Sequence, residues 1–253
     1  MDEAPKKKIL VLVEGEKTDV LLMKKIISSY PILDDYRIIS YCTNIYALYQ
    51  EMMTAGQQDF EATDILLVLK SREKSDEKRK LFDEKYTDIL LVFDLDPQDS
   101  RYNRDVLLAL QKYFSDSSDM GKLYINYPMV EAFYHLKSIP DDDYYHCMTT
   151  LSELKNKKYK LRVQKETLGS DYRKFAVSRD QITIVIRQNM AKAHGLQSDE
   201  RIDWSYTGVT QEIDHLKVLQ LQLALLEKEE QIHVLSTCGF FIADYNPIFL
   251  EIT

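Results

Sequence analysis

The chain opens on a short apolar run, Lys8 to Val13 (KILVLV), rich in β-branched residues and ending in charge. A run of that length without alternation predicts a strand buried on both faces, as in a parallel sheet. Val20, Leu22, Met23, Ile26 and Ile27 then recur near helical spacing, with Thr18 placed to cap the helix that returns the chain across the sheet. Arg37 to Cys42 (RIISYC) predicts a second strand, and Asn44 to Ala55 a second helix. Strand and helix in alternation predict an α/β fold with a parallel sheet flanked by helices.

The hexapeptide TDILLV occurs twice, at Thr63 to Val68 and at Thr87 to Val92, with different flanks. After the first copy comes LKSREKSDEKRKLFDEKY, rich in helix formers, so that copy predicts the front of a charged helix capped by Thr63 or Asp64. The second runs into FDLDPQDS, where Pro97 ends regular structure, and predicts a strand. Beyond it, Arg104 to Phe114 reads as helix, Lys122 to Asn126 (KLYIN) as strand, and Pro128 as the first turn of a further helix.

From about Pro140 the pattern turns helical. This divides the chain into an α/β domain, 1–139, and a mostly α-helical C-terminal region, 140–253, packed on the first or mediating association. Ser178 and Gln181 have capping-box spacing ahead of a helix closed by Gly195. Ile213, Leu216, Leu219, Leu223 and Leu226 stripe the next helix, and Leu221 and Leu225 broaden a face that must be covered.

Composition adjusts this picture. With 253 residues and 45% hydrophobic content the chain can build one large core or two modest ones. Three scattered cysteines, Cys42, Cys147 and Cys238, argue against a disulfide framework or paired zinc ligands, so a reducing cytoplasm is expected. The basic start precedes only five consecutive apolar residues, too few for a signal peptide, and no run approaches the ~20 that span a bilayer. The net charge of −8 does not advertise nucleic acid. Between Leu151 and Asp180, however, nine basic residues face four acidic ones. Of these, Lys155, Lys157, Lys158, Lys160, Arg162, Lys165, Arg173 and Lys174 are candidate phosphate contacts, with Tyr159, Tyr172 and Phe175 interleaved. A solvated charged face with core aromatics would read the same way.

The chemistry concentrates at two strand ends. Glu14 follows the first strand and so emerges at the carboxyl edge, where open α/β sheets gather ligands. Gly15 permits a tight turn, and Lys17 and Thr18 stand at a helix N-terminus suited to phosphate. Asp94 and Asp96 leave a later strand at i and i+2, which in extended backbone points both to one face. Two carboxylates this close ask for a cation, and Mg²⁺ or Mn²⁺ suits oxygen ligands.

Together, VLVEGEKTD and LLVFDLDPQDS resemble the two signature motifs of the TOPRIM domain, a glutamate after the first strand and a DxD after a later one. YPMVEAFYHL, with Pro128, Glu131 and His135, is similar to a third motif of the RloB-like group, itself akin to OLD-type nucleases. The resemblance spans residues 9 to 137. It implies a TOPRIM, Rossmann-like sheet and a divalent-metal-dependent endonuclease acting on DNA or RNA. Glu14, Asp94 and Asp96 would be catalytic and metal-binding, Lys17 would contact the scissile phosphate, and Glu131 would be a further metal ligand. It also implies a setting in bacterial anti-phage defence, with an ATPase, another defence protein or a second copy of the chain as partner. Gln98 stands where a DxDxD extension would place a third acid, which falls instead at Asp99.

Two rivals remain open. A haloacid-dehalogenase-like phosphatase would use Asp94 as nucleophile, yet it wants a hydroxyl residue at Gln98 and leaves Glu14 unexplained. A TOPRIM-shaped binding or regulatory subunit would keep the carboxylates without turnover. His135 reads more readily as structural than catalytic, and Trp204 as core or interface.

Overall fold

The computed structural model describes residues 8–30 and 35–252. Residues 1–7, the basic start weighed above, lie outside that range. In chain order the elements are β1 (Lys8–Val13), α1 (Thr18–Ser28), β2 (Asp35–Ser40), α2 (Ile45–Ala55), α3 (Ile65–Arg72), α4 (Asp76–Arg79), β3 (Asp88–Asp94) and α5 (Arg104–Tyr113), then β4 (Ser115–Asp116) and β5 (Gly121–Asn126). The remainder holds β6 (Met148–Thr150), α6 (Leu151–Lys155), α7 (Tyr159–Glu166), α8 (Arg179–Ser198), α9 (His215–Glu229), β7 (Gln231–His233) and α10 (Phe240–Tyr245).

The five strands of the first part form one sheet in the order β2-β1-β3-β5-β4, flanked by helices. The first three pairings are parallel, and the short edge strand β4 runs antiparallel to β5. Apolar side chains fill both faces of β1 and β3, which is why neither alternates. Val13 pairs with Ser40 on one side and Val92 on the other, and Asp94 pairs with Asn126. The carboxyl ends of all four parallel strands therefore meet along one edge.

The two TDILLV copies take opposite structures, as their flanks predict. In the first, the Asp64 carboxylate accepts the Leu66 N–H at 2.7 Å and α3 begins. The second lies in β3 between β1 and β5, where a central strand finds ladder partners on both sides.

Three local readings need correcting. Thr18 does not cap α1; Lys17 holds that position without a side-chain cap. Pro128 does not open an α-helix, because its carbonyl is spent on the Leu95 and Asp96 amides at 3.1 and 3.2 Å. A 3₁₀ turn, Val130–Tyr134, follows. Gly195 does not close α8, which runs on to Ser198 and stops where Asp199 turns left-handed. A Cβ on Gly195 would lie 2.7 Å from the Tyr145 ring and 2.8 Å from the Glu200 carbonyl, so the glycine makes room.

The C-terminal region packs onto the sheet. Tyr127 and Leu235 exchange both backbone hydrogen bonds at 2.8 Å, continuing the line of β5, and the Tyr124 hydroxyl donates to Asp244 at 2.7 Å. The striped face of α9 buries Val218, Leu219, Leu223 and Leu226 against α5, α8 and β7, while Leu221 stays exposed. Buried polar side chains lace α8 to its surroundings. Arg187 donates to the carbonyls of Trp204, Tyr206 and Leu250, and Lys192 to those of Tyr144 and Cys147. No helix among the described residues is long and apolar enough to cross a membrane.

Candidate functional site

At the shared carboxyl edge, the loops after β1, β3 and β5 line a cavity of about 880 Å³ with the α6–α7 segment. Glu14, Asp19, Asp94, Asp96 and Glu131 all contribute to its lining, as do Lys17, Lys155, Lys157 and Lys160. Glu14 and Asp94, 80 residues apart in sequence, are in direct contact, the Asp94 backbone N–H donating to Glu14 Oε2 at 3.2 Å. The parallel register places them so, since Val13 lies beside Val92.

Asp96 reaches the cavity by a route that alternation does not predict. β3 ends at Asp94, and Asp96 adopts φ +41°, in the left-handed region that aspartate tolerates better than most residues. Leu95 is fully buried, its amide bonded to the Asn126 and Pro128 carbonyls, and its own carbonyl accepts the Tyr46 hydroxyl at 2.5 Å. These bonds hold the turn that sends both aspartates to one side. Gln98 Nε2 donates to Asp96 at 2.8 Å. Asp99 is engaged elsewhere, accepting from Asn44 at 2.6 Å and from Arg101, which keeps its carboxyl below the usual range.

Two residues that motif reading passed over shape the centre. Asp19 is buried and folds back on the first loop, accepting the Gly15 N–H at 3.0 Å. A Cβ at Gly15 would come within 2.5 Å of that carboxylate, so this turn demands glycine. The Asn126 side-chain oxygen accepts from the Thr237 amide at 3.1 Å and the Ser236 hydroxyl at 3.3 Å, which leaves its NH₂ turned to Asp94 at 3.4 Å. Asp19 carried a faint signal, an acid in the first turn after Glu14. Asn126 carried none, because its partners come from a segment 110 residues away.

Crowded acids in a poorly solvated place resist ionisation. Burial, then repulsion from Asp96, pushes Glu14 up to about 8, with the Asp94 amide and Lys160 pulling the other way. Burial followed by the Glu14 charge raises Asp94 well above its ordinary value, and burial also raises Asp96. Lys160 is the cation closest to this charge, 3.0 Å from Glu131 Oε1. Burial works against its ammonium, but attraction to Glu131, Asp94 and Asp96 prevails and raises its pKa.

Neither a family model, nor a curated protein, nor a solved structure matches this chain.

Whether the centre suits a divalent ion can be tested on its donors. Among the described residues, no three acidic, histidine or cysteine side chains form a preformed ligand cluster. The available donors are nonetheless all hard carboxylate oxygens, the set Mg²⁺ and Mn²⁺ prefer. Glu131 is 6% exposed, and its Oε2 is buried without a hydrogen-bond partner, an oxygen that a cation would satisfy. Raised carboxyl pKa values add to the argument, since a cation offsets both the burial and the repulsion that cause them. The donor chemistry fits.

The basic stretch divides. Lys155, Lys157 and Lys160 line the cavity, whereas Arg162 is bound by Glu153 at 2.7 and 3.0 Å and faces a second cavity of about 440 Å³. Arg173 pairs with Asp171 at 3.1 Å. Lys158, Lys165 and Lys174 are exposed and do not line the acidic cavity. Tyr159 is buried, and Tyr172 stacks on Tyr134 with centroids 4.3 Å apart. Phe175 is buried as well. His135 lies in the second cavity, bonded to Glu166 at 2.9 Å and Tyr159 at 3.3 Å, and burial lowers its pKa. Cys147 Sγ stands 3.5 and 3.9 Å from its two ring nitrogens, nearly equidistant and so not aligned on one of them. That arrangement is structural.

Proposed function

We propose that this chain is a divalent-metal-dependent nuclease of TOPRIM type, hydrolysing phosphodiester bonds in DNA or RNA. The observation that carries the reading is the meeting of Glu14, Asp94, Asp96 and Glu131 in one cavity with lysines. Acids that repel one another are poor partners for an anionic substrate unless a cation joins them, and the lysines are suited to the phosphates on either side.

Glu14, Asp94, Asp96 and Glu131 would hold the ion, Mg²⁺ or Mn²⁺. When bound, it supplies charge neutralisation at the phosphate and a more acidic water. The chain's own groups do the rest. Asn126 keeps Asp94 aimed at the centre, and Lys17, Lys155 and Lys157 seat the backbone. In hydrolysis the water oxygen bonds to phosphorus and the bond to the leaving sugar oxygen breaks with its electron pair. The proton lost by water passes to a carboxylate or solvent, and the leaving oxygen gains one.

A phosphatase with Asp94 as nucleophile and Asp96 as its acid partner would leave Glu14 and Glu131 without a task. The test is to incubate wild type, Glu14→Ala and Asp94→Ala with plasmid, single-stranded DNA and structured RNA in Mn²⁺. Wild type is expected to cut at least one of them, with each variant slower by about 10²-fold or more. Phosphomonoester turnover with intact nucleic acid would instead favour the phosphatase. Mn²⁺ binding without cutting would favour a binding subunit.

A further inference from the structure

The acids of this centre are recessed. Asp94 and Glu131 expose 8% and 6% of their surface, and the cavity above them holds about 880 Å³. Cavities of ~300–1,000 Å³ enclose a drug-sized molecule, the scale of one or two nucleotides of a single strand. A duplex has grooves ~6–12 Å wide, and its phosphates arrive with a paired second strand alongside. A single strand can bend its backbone into such a recess without unpairing.

Charge points the same way. A net charge of −8 does not favour the long phosphate backbone of a duplex. Two arginines of its basic stretch, Arg162 and Arg173, are committed to Glu153 and Asp171. Among the described residues, Lys17, Lys155 and Lys157 line the cavity with no ion pair of their own, and all three are exposed. The lysines beside the acids that are left to meet a substrate are thus Lys17, Lys155 and Lys157.

We infer that the substrate of this site, on the nuclease reading above, is an unpaired stretch of nucleic acid, held through its backbone by Lys17, Lys155 and Lys157. Bases receive little specific reading there. Met129, Val130 and Leu154 supply the apolar lining, and the nearby aromatic rings are packed away.

Hairpins of DNA and of RNA with ten-nucleotide loops, and fully paired duplexes of the stem sequence, test this with the whole protein in Mn²⁺. Cutting is expected within the loop, at least about tenfold faster than in any duplex. Fluorescence anisotropy then measures binding to a single-stranded 20-mer across a salt series. Three phosphate contacts predict a slope of log K on log salt of about −2, and Lys155→Gln/Lys157→Gln should reduce it to about −0.7. Both lysines are exposed, and circular dichroism checks that the variant folds. Equal or faster duplex cutting overturns this inference and leaves the nuclease reading standing. Preferential single-strand binding without any cutting supports the inference and overturns the nuclease reading. Binding that is no tighter for single strand than for duplex, or a slope unmoved by the double substitution, overturns the strand assignment.

Discussion

Glu14 shows how one carboxyl senses its neighbours. In the unfolded chain it ionises near its ordinary 4.5, and in the folded protein near 8. Below about 4.5 it is protonated in both states and its burial costs little. As pH rises from 4.5 to 8 the unfolded chain releases a proton that the folded chain keeps, so stability is progressively lost, and the loss is complete above 8. Asp94 and Asp96, also raised, act in the same direction. His135, His194, His215, His233 and Lys192, whose pKa values burial lowers, act in the opposite direction, so the acids are read in chelator as the difference in thermal midpoint between wild type and Glu14→Gln, which is expected to widen as pH rises through this window. Glu14→Gln should raise the midpoint at pH 8 by about 2–4 °C per kcal/mol of relieved repulsion. Added Mn²⁺ should do the same for wild type. A difference that narrows across this window would contradict the arrangement of acids described above.

At the scale of elements, local chemistry and packing compete, and packing wins at identifiable places. Helix propensity favours alanine over glycine in a helix by about 1 kcal/mol, so Gly195→Ala should stabilise α8 if only local preference mattered. The Tyr145 ring and the Glu200 carbonyl occupy the space a methyl group would need. Gly195→Ala is accordingly expected to destabilise the protein by about 1–3 kcal/mol in urea unfolding. Stabilisation would show that the helix end can relax. The same competition explains why Gly195 reads as a helix stop in the sequence and is not one. It also explains Pro128, whose carbonyl is drawn to the Asp94–Asp96 loop instead of to a helical amide. The duplicated TDILLV was legible because its flanks differ, with an N-cap and a charged helix former run on one side and a proline turn on the other.

At the scale of the molecule, the helical region completes the sheet it packs on. Leu235 pairs with Tyr127, Asp244 receives the Tyr124 hydroxyl and the Lys122 ammonium, and residues 236–237 fix Asn126, which in turn meets Asp94. A fragment of residues 1–139 would leave these buried polar groups without partners and expose the apolar surface beneath α9. Such a fragment is expected to show no cooperative unfolding transition, whereas residues 1–253 should show one. A cooperatively folding fragment would make the two parts separable domains.

The sequence by itself determined the elements that depend on neighbours a few residues away: the buried strands, the capped helices, and the carboxylates at strand ends. Periodicity, caps and turn residues act over that range. Only the tertiary structure decided which acids share a cavity, because that depends on strand register. It also decided which of the basic residues border the acids, because Lys155, Lys157 and Lys160 line that cavity while Arg162 faces another. Asn126 became part of the centre only when a chain segment distant in sequence closed around it. A buried polar group takes its role from the partners that satisfy it, and for Asn126 those partners arrive from 110 to 112 residues away.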